Sequence, residues 1–324
     1  QPDPEGFKMD ESPSVQIIYV AIRMPMVPVV EDSSDVFDVV AAGNGPPQWV
    51  TPFKADLAWQ KYVTISLAPS IITRKSNNRQ APFTSGSSGT FGTEYRNWEY
   101  TNGLRNSTVT AADFYGYFWR KAPGFFDLQG YVGTGTITTR RHNLGVLPEM
   151  MIGAPMYGSN LGVPIIYHKD FAGIVVSDAY SHYIEMSEYD AARANNNYWG
   201  GAPTSTEFST GGVSALNSSN QKYCISLFAT LAGVSKVGSY TGNGSNQNID
   251  CGFSNGSKFI MIKAASASGY FLILDSDRGI NSGSNDPWWA TQDNGAQNTS
   301  YDVVSPYSSG FNVVDSALGS YGTN

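Results

Sequence analysis

The feature that most constrains the fold of this 324-residue chain is a repeat with a spacing of 109 residues. The sequence Tyr-Val-Gly-Thr-Gly at residues 131–135 recurs as Tyr-Thr-Gly-Asn-Gly at residues 240–244, and Gly124 recurs as Gly233. A weaker copy, Gly-Asn-Gly, lies at residues 43–45. Because self-similarity at a fixed period indicates an array of similar units, the sequence predicts three units.

A second recurring element is a short run of β-branched and aromatic residues bounded by turn residues, as expected of a strand that closes each unit. It lies at residues 17–22, 115–119 and 223–228. We therefore expect the closing strand of a preceding unit plus a linker in residues 1–30, a degenerate first unit in 31–124, a second in 125–237, and a third in 238–324 that lacks its own closing strand. Both ends of the chain would then fall within a repeat unit and not at its boundary. The first residue is Gln1 and not methionine, which suggests a processed product or a segment of a longer chain.

The composition favours strands joined by many turns. The chain has 34 glycines and 17 prolines, 13% aromatic residues, and 15% charged residues, where soluble domains have about 25% charged residues. Short strand-like runs lie between clusters of Gly, Asn and Ser, at spacings typical of antiparallel sandwiches. The predicted fold class is all-β, made of tandem antiparallel β-sandwich repeats of jelly-roll type. A single helix is predicted, at residues 183–195.

Charge and hydropathy exclude two classes of partner. The formal net charge is −7, and the 20 Lys and Arg residues are scattered, which disfavours nucleic-acid binding. No window approaches the about 18 to 20 consecutive apolar residues that span a bilayer, so we expect no membrane insertion. Cys224 and Cys251 lie in strand-like apolar runs and are predicted to be free and buried.

No motif predicts a cofactor or a metal. The Gly-x-Gly pairs lack the third glycine of a phosphate-binding loop and favour tight turns. His142, His168 and His182 do not have the spacing of zinc ligands. Asp275 and Asp277 resemble the start of a calcium loop, but its sixth position, Ile280, is not glycine. Pairing of Arg278 with a neighbouring carboxylate, which would fix a turn, explains this motif better.

The sequence also argues against an enzyme. The densest acidic stretch is residues 170–190, and glycosidases need two carboxyl groups within about 5 to 10 Å, but solvation of a surface helix explains these residues equally well. No Gly-x-Ser-x-Gly motif marks a nucleophile. We predict no catalytic residues, with a polysaccharide depolymerase left as an alternative.

Several motifs together resemble a repeated β-domain of tail-fibre and other tail proteins of bacteriophages, especially phages of marine bacteria. They lie at residues 119–127, 131–135, 142–152, 227–236 and 275–279. The resemblance implies a virion structural or host-recognition protein of the tail, located in the extracellular particle and assembled in the host cytoplasm. The expected partners are other copies of the chain, as a homo-oligomer, and other tail proteins. A free-standing carbohydrate-binding lectin or adhesin is the alternative.

Two sets of residues are candidates for contacts. Large aromatic rings in polar, loop-forming sequence would stack on a host-surface glycan or pack on another virion protein, or else cap the end of their own sandwich. The strand at residues 16–22 would fill the sheet edge left open by the third unit, from the same chain or from a neighbouring one. The aromatic set is Trp98, Tyr198, Trp199, Trp288 and Trp289, and the strand set is Ile17, Ile18, Tyr19, Val20 and Ile22.

Overall fold

The structure is a computed structural model, and it describes residues 2–3, 6–7, 30–75, 80–83, 96–98, 102–106, 113–156, 162–174 and 178–314. In these residues the strands pair antiparallel and form several sheets. The all-β sandwich prediction is confirmed. The helical parts are short: α1 (Phe171–Ile174), α2 (Ser214–Asn217), and two 3-10 turns at Ser33–Asp35 and Ala179–Ser181.

The strands fall into consecutive groups along the chain. They are β1 (Pro2–Asp3), β2 (Gly6–Phe7), β3 (Phe37–Ala41), β4 (Trp49–Val50), β5 (Leu57–Tyr62), β6 (Ser70–Thr73), β7 (Gln80–Pro82), β8 (Arg96–Asn97), β9 (Gly103–Asn106), β10 (Phe114–Trp119), β11 (Phe126–Val132), β12 (Thr138–Arg141), β13 (Met150–Pro155), β14 (Ile165–His168), β15 (His182–Glu185), β16 (Arg193–Ala194), β17 (Glu207–Thr210), β18 (Lys222–Phe228), β19 (Gln247–Asp250), β20 (Phe259–Ile262), β21 (Leu272–Asp275), β22 (Asp286–Ala290), β23 (Asn298–Tyr301), β24 (Val304–Tyr307) and β25 (Gly310–Val313).

Each predicted unit contains one main sheet and a smaller sheet. The main sheets have the strand orders β3-β10-β5-β6-β7, β11-β18-β13-β14-β15-β16 and β20-β21-β22-β23. The smaller sheets are β4-β9-β8, β12-β17 and β19-β25-β24. Each unit has its own hydrophobic core, represented by Trp49 in the first, Trp199 in the second and Trp288 in the third.

The first two units share one topology and one register. The last strand of each unit lies between its first strand and a middle strand, so Trp119 pairs with both Phe37 and Leu57. In the second unit Phe228 pairs in the same way with Phe126 and Met150. These closing strands, β10 and β18, are therefore central strands of their sheets. A central strand is covered on both faces, which explains why their sequences are apolar without alternation.

The glycines of the 109-residue repeat form matching turns. Gly124 and Gly233 have φ values of 76° and 74°, and Gly135 and Gly244 have 76° and 69°. Residues with a Cβ rarely adopt this left-handed region, whereas glycine does so at little cost. The interpretation of the Gly-x-Gly pairs as tight turns before strands is confirmed for the second and third copies, where Gly135 and Gly244 precede β12 and β19.

A fourth hydrophobic cluster joins the three main sheets. Each sheet turns one face to the core of its own unit and the other to this shared core, which contains residues of all three units, including Trp59, Trp119, Phe126, Phe228 and Trp289. The ring of Phe259 in β20 lies 5.4 Å from that of Phe37 in β3, between centroids. The shared core therefore makes the three units one packed body.

Of the predicted secondary-structure elements, one differs from the structure and one lies outside the described residues. The helix predicted at residues 183–195 is wrong, because this stretch contains β15 and β16. Tyr183 packs in the core of the second unit and the adjacent Ile184 in the shared core, which is the two-residue alternation of a strand. The strand predicted at residues 16–22, with Ile17, Ile18, Tyr19, Val20 and Ile22, lies outside the described residues.

Candidate functional site

The four tryptophans predicted to contact a ligand are buried. Their relative exposures are 9% for Trp98, 0% for Trp199, 4% for Trp288 and 1% for Trp289. An indole that is covered on both faces cannot stack on a sugar, so the ligand-contact interpretation is corrected for these rings. The rings lie in hydrophobic cores: Trp98, Trp199 and Trp288 in the core of their own unit, and Trp289 in the shared core. Burial of a large aromatic surface stabilises such a core.

Tyr198 differs from the tryptophans because it is only half-buried. Its ring stacks on that of Tyr183 with 3.7 Å between centroids, and its hydroxyl donates to Glu185 Oε1 at 3.3 Å. Burial, followed by the neighbouring Tyr183 and Glu185, raises the pKa of the Tyr198 hydroxyl. Tyr198 is therefore a neutral hydrogen-bond donor at the edge of the second unit.

A buried polar network joins the first unit to the third. The side chains of Asp275 and Arg278 are 0% and 2% exposed, and Arg278 Nε donates to Asp275 Oδ2 at 2.6 Å. Tyr117 of β10 donates its hydroxyl proton to the same carboxylate oxygen at 2.9 Å. Trp289 Nε1 in turn donates to the Tyr117 hydroxyl at 2.8 Å. The prediction that Arg278 pairs with a neighbouring carboxylate is confirmed.

The network balances its own charges. The Arg278 guanidinium also donates to Gln297 Oε1 at 3.0 Å and to the carbonyl of Ile273 at 3.3 Å. Burial raises the pKa of the Tyr117 hydroxyl, so the tyrosine keeps its proton and donates it. A buried ion pair is stable when its remaining donors and acceptors also have hydrogen-bond partners. The directional contacts fix how the first and third units sit against each other.

A lysine makes a second connection between these units. Lys61 of β5 is fully buried, and its Nζ donates to the carbonyl of Leu67 at 2.9 Å and to the carbonyl of Gly295 in the third unit at 2.6 Å. Burial lowers the pKa of Lys61 to about 8, although Asp293 opposes this shift. The ammonium group is thus held by carbonyl oxygens in a setting that disfavours its charge.

The loops at one end of the second unit form a second candidate site. We call residues 133–137, 195–201 and 211–221 the second-unit loop end. Asn217 organises it: the side chain is 0% exposed, its Nδ2 donates to the carbonyls of Thr136 at 2.6 Å and Gly211 at 2.7 Å, and its Oδ1 accepts from the Thr134 N–H at 2.9 Å. The loops are therefore braced by a buried amide.

Apolar side chains are exposed on and beside this end. Ile137 is 64% exposed, and Val132, at the end of β11, is 51% exposed. Arg140 Nη2 donates to the Asn217 Oδ1 at 3.1 Å and its guanidinium lies 4.2 Å from the Tyr131 ring centroid. Two exposed apolar side chains, Ile137 and Val132, therefore lie on or beside loops that a buried amide holds together.

The described ranges hold no group of three His, Cys, Asp or Glu side chains arranged to bind a metal ion. Among the same residues, no helix combines the length and apolar character needed to cross a bilayer. Cys224 is buried and Cys251 is half-buried, and both are free thiols. Burial raises the pKa of Cys224 to about 12, so its thiol is protonated and unreactive near neutral pH.

A family model described as a domain of unknown function, DUF7483, matches residues 83–323. The chain belongs to the DUF7483 family. No curated protein matches the chain, and no solved structure matches it. The DUF7483 match includes the strand β10, the second unit and the third unit, and hence the buried network and the second-unit loop end.

Sequence reasoning missed the partners that make both sites of this DUF7483 protein. Tyr117 lies in the predicted closing strand, but its carboxylate partner is 158 residues away. Asn217 lies in a polar loop sequence that resembles many exposed turns. A continuous apolar run such as that of β10 is a signal of burial on both faces. No local pattern, however, identifies a distant hydrogen-bond partner.

The lowered pKa of Lys61 predicts a pH dependence of stability. Between the folded pKa of about 8 and the ordinary value of 10.5, the unfolded state binds more protons than the folded state. The free energy of unfolding of the wild type should therefore rise with pH across this window relative to that of Lys61→Met. Urea denaturation at a series of pH values measures this difference.

The control for this experiment is Lys54→Met, which removes an exposed lysine of the same unit. Its stability should follow the wild-type pH profile. Parallel profiles for the wild type and Lys61→Met would contradict the prediction.

Proposed function

We propose that this chain is a structural protein of a bacteriophage tail that contacts the host surface through the second-unit loop end. The observation that carries the proposal is the shared core, which packs three sandwiches into one body around a buried ion pair. A body packed in this way holds its loops in fixed relative positions, which suits a component of a tail. The motifs shared with repeated phage tail domains support the same assignment.

The partners under this proposal are other copies of the chain, as a homo-oligomer, and other tail proteins. The scaffold presents the second-unit loop end, where Asn217 holds neighbouring loops together and Ile137 is exposed. Preorganised loops lose little conformational entropy on binding. A host-surface glycan is the ligand class that we test first.

The first experiment asks whether the chain belongs to the particle. Virions of the phage that encodes it are purified on a density gradient, and antibodies against the folded protein are used for immunogold electron microscopy. We expect the chain in the particles at a constant copy number, with gold on the tail. Its absence from gradient-purified particles would overturn the proposal.

The second experiment asks whether the loop end contacts the host. The purified protein should bind host cells saturably and block phage adsorption. Ile137→Asp should weaken this block, whereas Val50→Asp, at a 52% exposed position of the first unit, should leave it unchanged. Equal effects of the two variants on phage adsorption would show that the second-unit loop end does not contact the host. Release of sugar from host polysaccharide would identify a depolymerase instead.

A further inference from the structure

We propose that the three units form a closed ring within one chain, in which each unit meets the next through the same head-to-tail contact. We call each of these contacts a seam. The ring uses every seam inside the chain, so copies of the chain in an assembly meet through other surfaces. This inference goes beyond the proposed function and does not depend on it.

The main sheets match residue by residue. The first residues of β5, β13 and β20 are equivalent, because each pairs with the last residue of the next strand in its sheet. Four residues after this position the chain has Lys61 in the first unit, Ala154 in the second and Lys263 in the third. Two of the three units therefore carry a lysine at the same place.

The first seam joins the first unit to the third. Lys61 Nζ donates to the carbonyl of Gly295, in the segment after β22, at 2.6 Å. Beside it, the Gln297 N–H donates to the carbonyl of Val63, two residues after the lysine, at 2.9 Å. The end of β5 and the residues after it thus bind the segment that follows β22.

The second seam joins the third unit to the second with the same bonds. Lys263 Nζ donates to the carbonyl of Tyr189, in the segment after β15, at 3.0 Å. The Ala192 N–H donates to the carbonyl of Ala265, again two residues after the lysine, at 2.8 Å. The end of β20 and the residues after it thus bind the segment that follows β15.

The acceptor segments of the two seams also match. Ile184 of β15 and Trp289 of β22 are equivalent, since each pairs with the second residue of the preceding strand in its sheet. Ala192 and Gln297, which donate the backbone bonds of the two seams, each lie eight residues after these positions. One contact is therefore used twice in one register, which defines a head-to-tail interface.

The third seam joins the second unit to the first. In the first seam Tyr117 of the closing strand β10 contacts Asp275, the last residue of β21. In the third seam Cys224 of the closing strand β18 hydrogen-bonds with Thr73, the last residue of β6. A closing strand of one unit thus packs on the same strand end of the next unit in both seams.

The order of the contacts closes on itself. The first unit binds the third, the third binds the second, and the second binds the first. A head-to-tail interface either closes into a ring or continues as an open array. In an open array a neighbouring chain would form the third seam. We infer closure because the third seam lies within the chain, and because the shared core contains residues of all three units.

The experiment is disulfide trapping across the third seam. A Cβ at Gly130 of the second unit would lie 3.5 Å from the Cβ of Lys75 in the first, and Cβ atoms of disulfides are about 3.5–4.5 Å apart. We expect Lys75→Cys with Gly130→Cys, in the full chain carrying Cys224→Ala and Cys251→Ser, to form an intrachain disulfide under mild oxidation. Non-reducing electrophoresis and peptide mass spectrometry identify it.

The matched control is Lys75→Cys with Gln129→Cys, because neighbouring residues of a strand point to opposite faces. This pair should not cross-link. Each variant is first shown, when reduced, to have the circular dichroism spectrum of the parent. A disulfide-linked dimer from the test pair would assign the third seam to two copies of the chain and overturn the ring. Absence of any cross-link in folded protein would also overturn it.

Hydrogen exchange tests the repeated contact in the other two seams. Lys61→Met should speed backbone exchange about tenfold in residues 293–297 of the third unit, because a charged hydrogen bond across the seam is lost. Lys263→Met should do the same in residues 189–192 of the second unit. Mass spectrometry of peptides from the exchanged protein measures both effects.

Lys54→Met, at an exposed position of the first unit, should leave exchange in both segments unchanged. Each seam variant should leave the other seam unchanged as well. If Lys263→Met speeds exchange in the third unit alone, or if neither lysine variant changes the segment across its seam, the repeated contact is wrong.

Discussion

Replacing Arg278 with methionine should lower the free energy of unfolding by about 3–5 kcal/mol. The reason is that Asp275 is 0% exposed and would lose its charged partner while remaining buried. The Tyr117 hydroxyl at Asp275 Oδ2 and the backbone N–H of residue 278 at Asp275 Oδ1 would remain, and these two neutral donors do not compensate a buried carboxylate. Urea denaturation at pH 7, followed by circular dichroism, measures the loss.

The matched control is Arg193→Met. Arg193 also pairs with an aspartate three residues away, Asp190, but its side chain is 41% exposed. An exposed pair contributes about 0–1 kcal/mol, so this variant should unfold near the wild-type urea concentration. Equal losses for the two variants would contradict a special role of the buried pair.

A double variant separates the pair from its surroundings. Arg278→Met combined with Asp275→Leu removes both charges, and replacing a buried pair by apolar residues is often close to neutral. We expect it to recover a large part of the stability lost by Arg278→Met. If it is as unstable as the single variant, the hydrogen bond from Tyr117, and not the charge balance, holds the first and third units together.

Trp199→Ala should lower the free energy of unfolding by about 3–5 kcal/mol, because it removes a large side chain from a packed core. Trp199 is 0% exposed and meets Tyr167 edge-on with 6.0 Å between ring centroids. Trp199 also belongs to the second-unit loop end, where the Gly211 N–H donates to the Tyr198 carbonyl at 2.8 Å. Thermal and urea denaturation measure the effect.

Trp199→Phe is the conservative comparison. The Trp199 indole N–H has no hydrogen-bond partner among the described residues, so phenylalanine loses packing volume but no bond. The decrease in the free energy of unfolding should be clearly smaller for Trp199→Phe than for Trp199→Ala. A Trp199→Ala protein with wild-type stability and no binding to host cells would restore this ring as a ligand contact.

Local pattern in the sequence predicted much of the fold. The apolar runs predicted the strands β10 and β18, and the Gly-x-Gly pairs that end at Gly135 and Gly244 predicted turns, because φ preference and side-chain period are local properties. The pairing of Arg278 was also readable, since its carboxylate partner is only three residues away.

The tryptophans show where such reasoning fails. Trp199 is surrounded by Asn and Gly, and Trp288 follows Asp and Pro, so polar neighbours in sequence suggested exposed loops. Whether a side chain is buried depends on which residues from elsewhere in the chain pack against it. The same limit explains the helix predicted at residues 183–195, where packing on both faces of a sheet outweighs a weak helical preference.

The sequence by itself determined the all-β class, the repeat of 109 residues, the turn glycines and the local ion pair. Only the tertiary structure decided that the three main sheets turn their second faces to one shared core, and that Tyr117, Asp275 and Trp289 meet inside it. The physical reason is that backbone conformation and contacts between near neighbours are determined by adjacent residues. Burial and the satisfaction of buried polar groups depend on partners brought together from more than a hundred residues away.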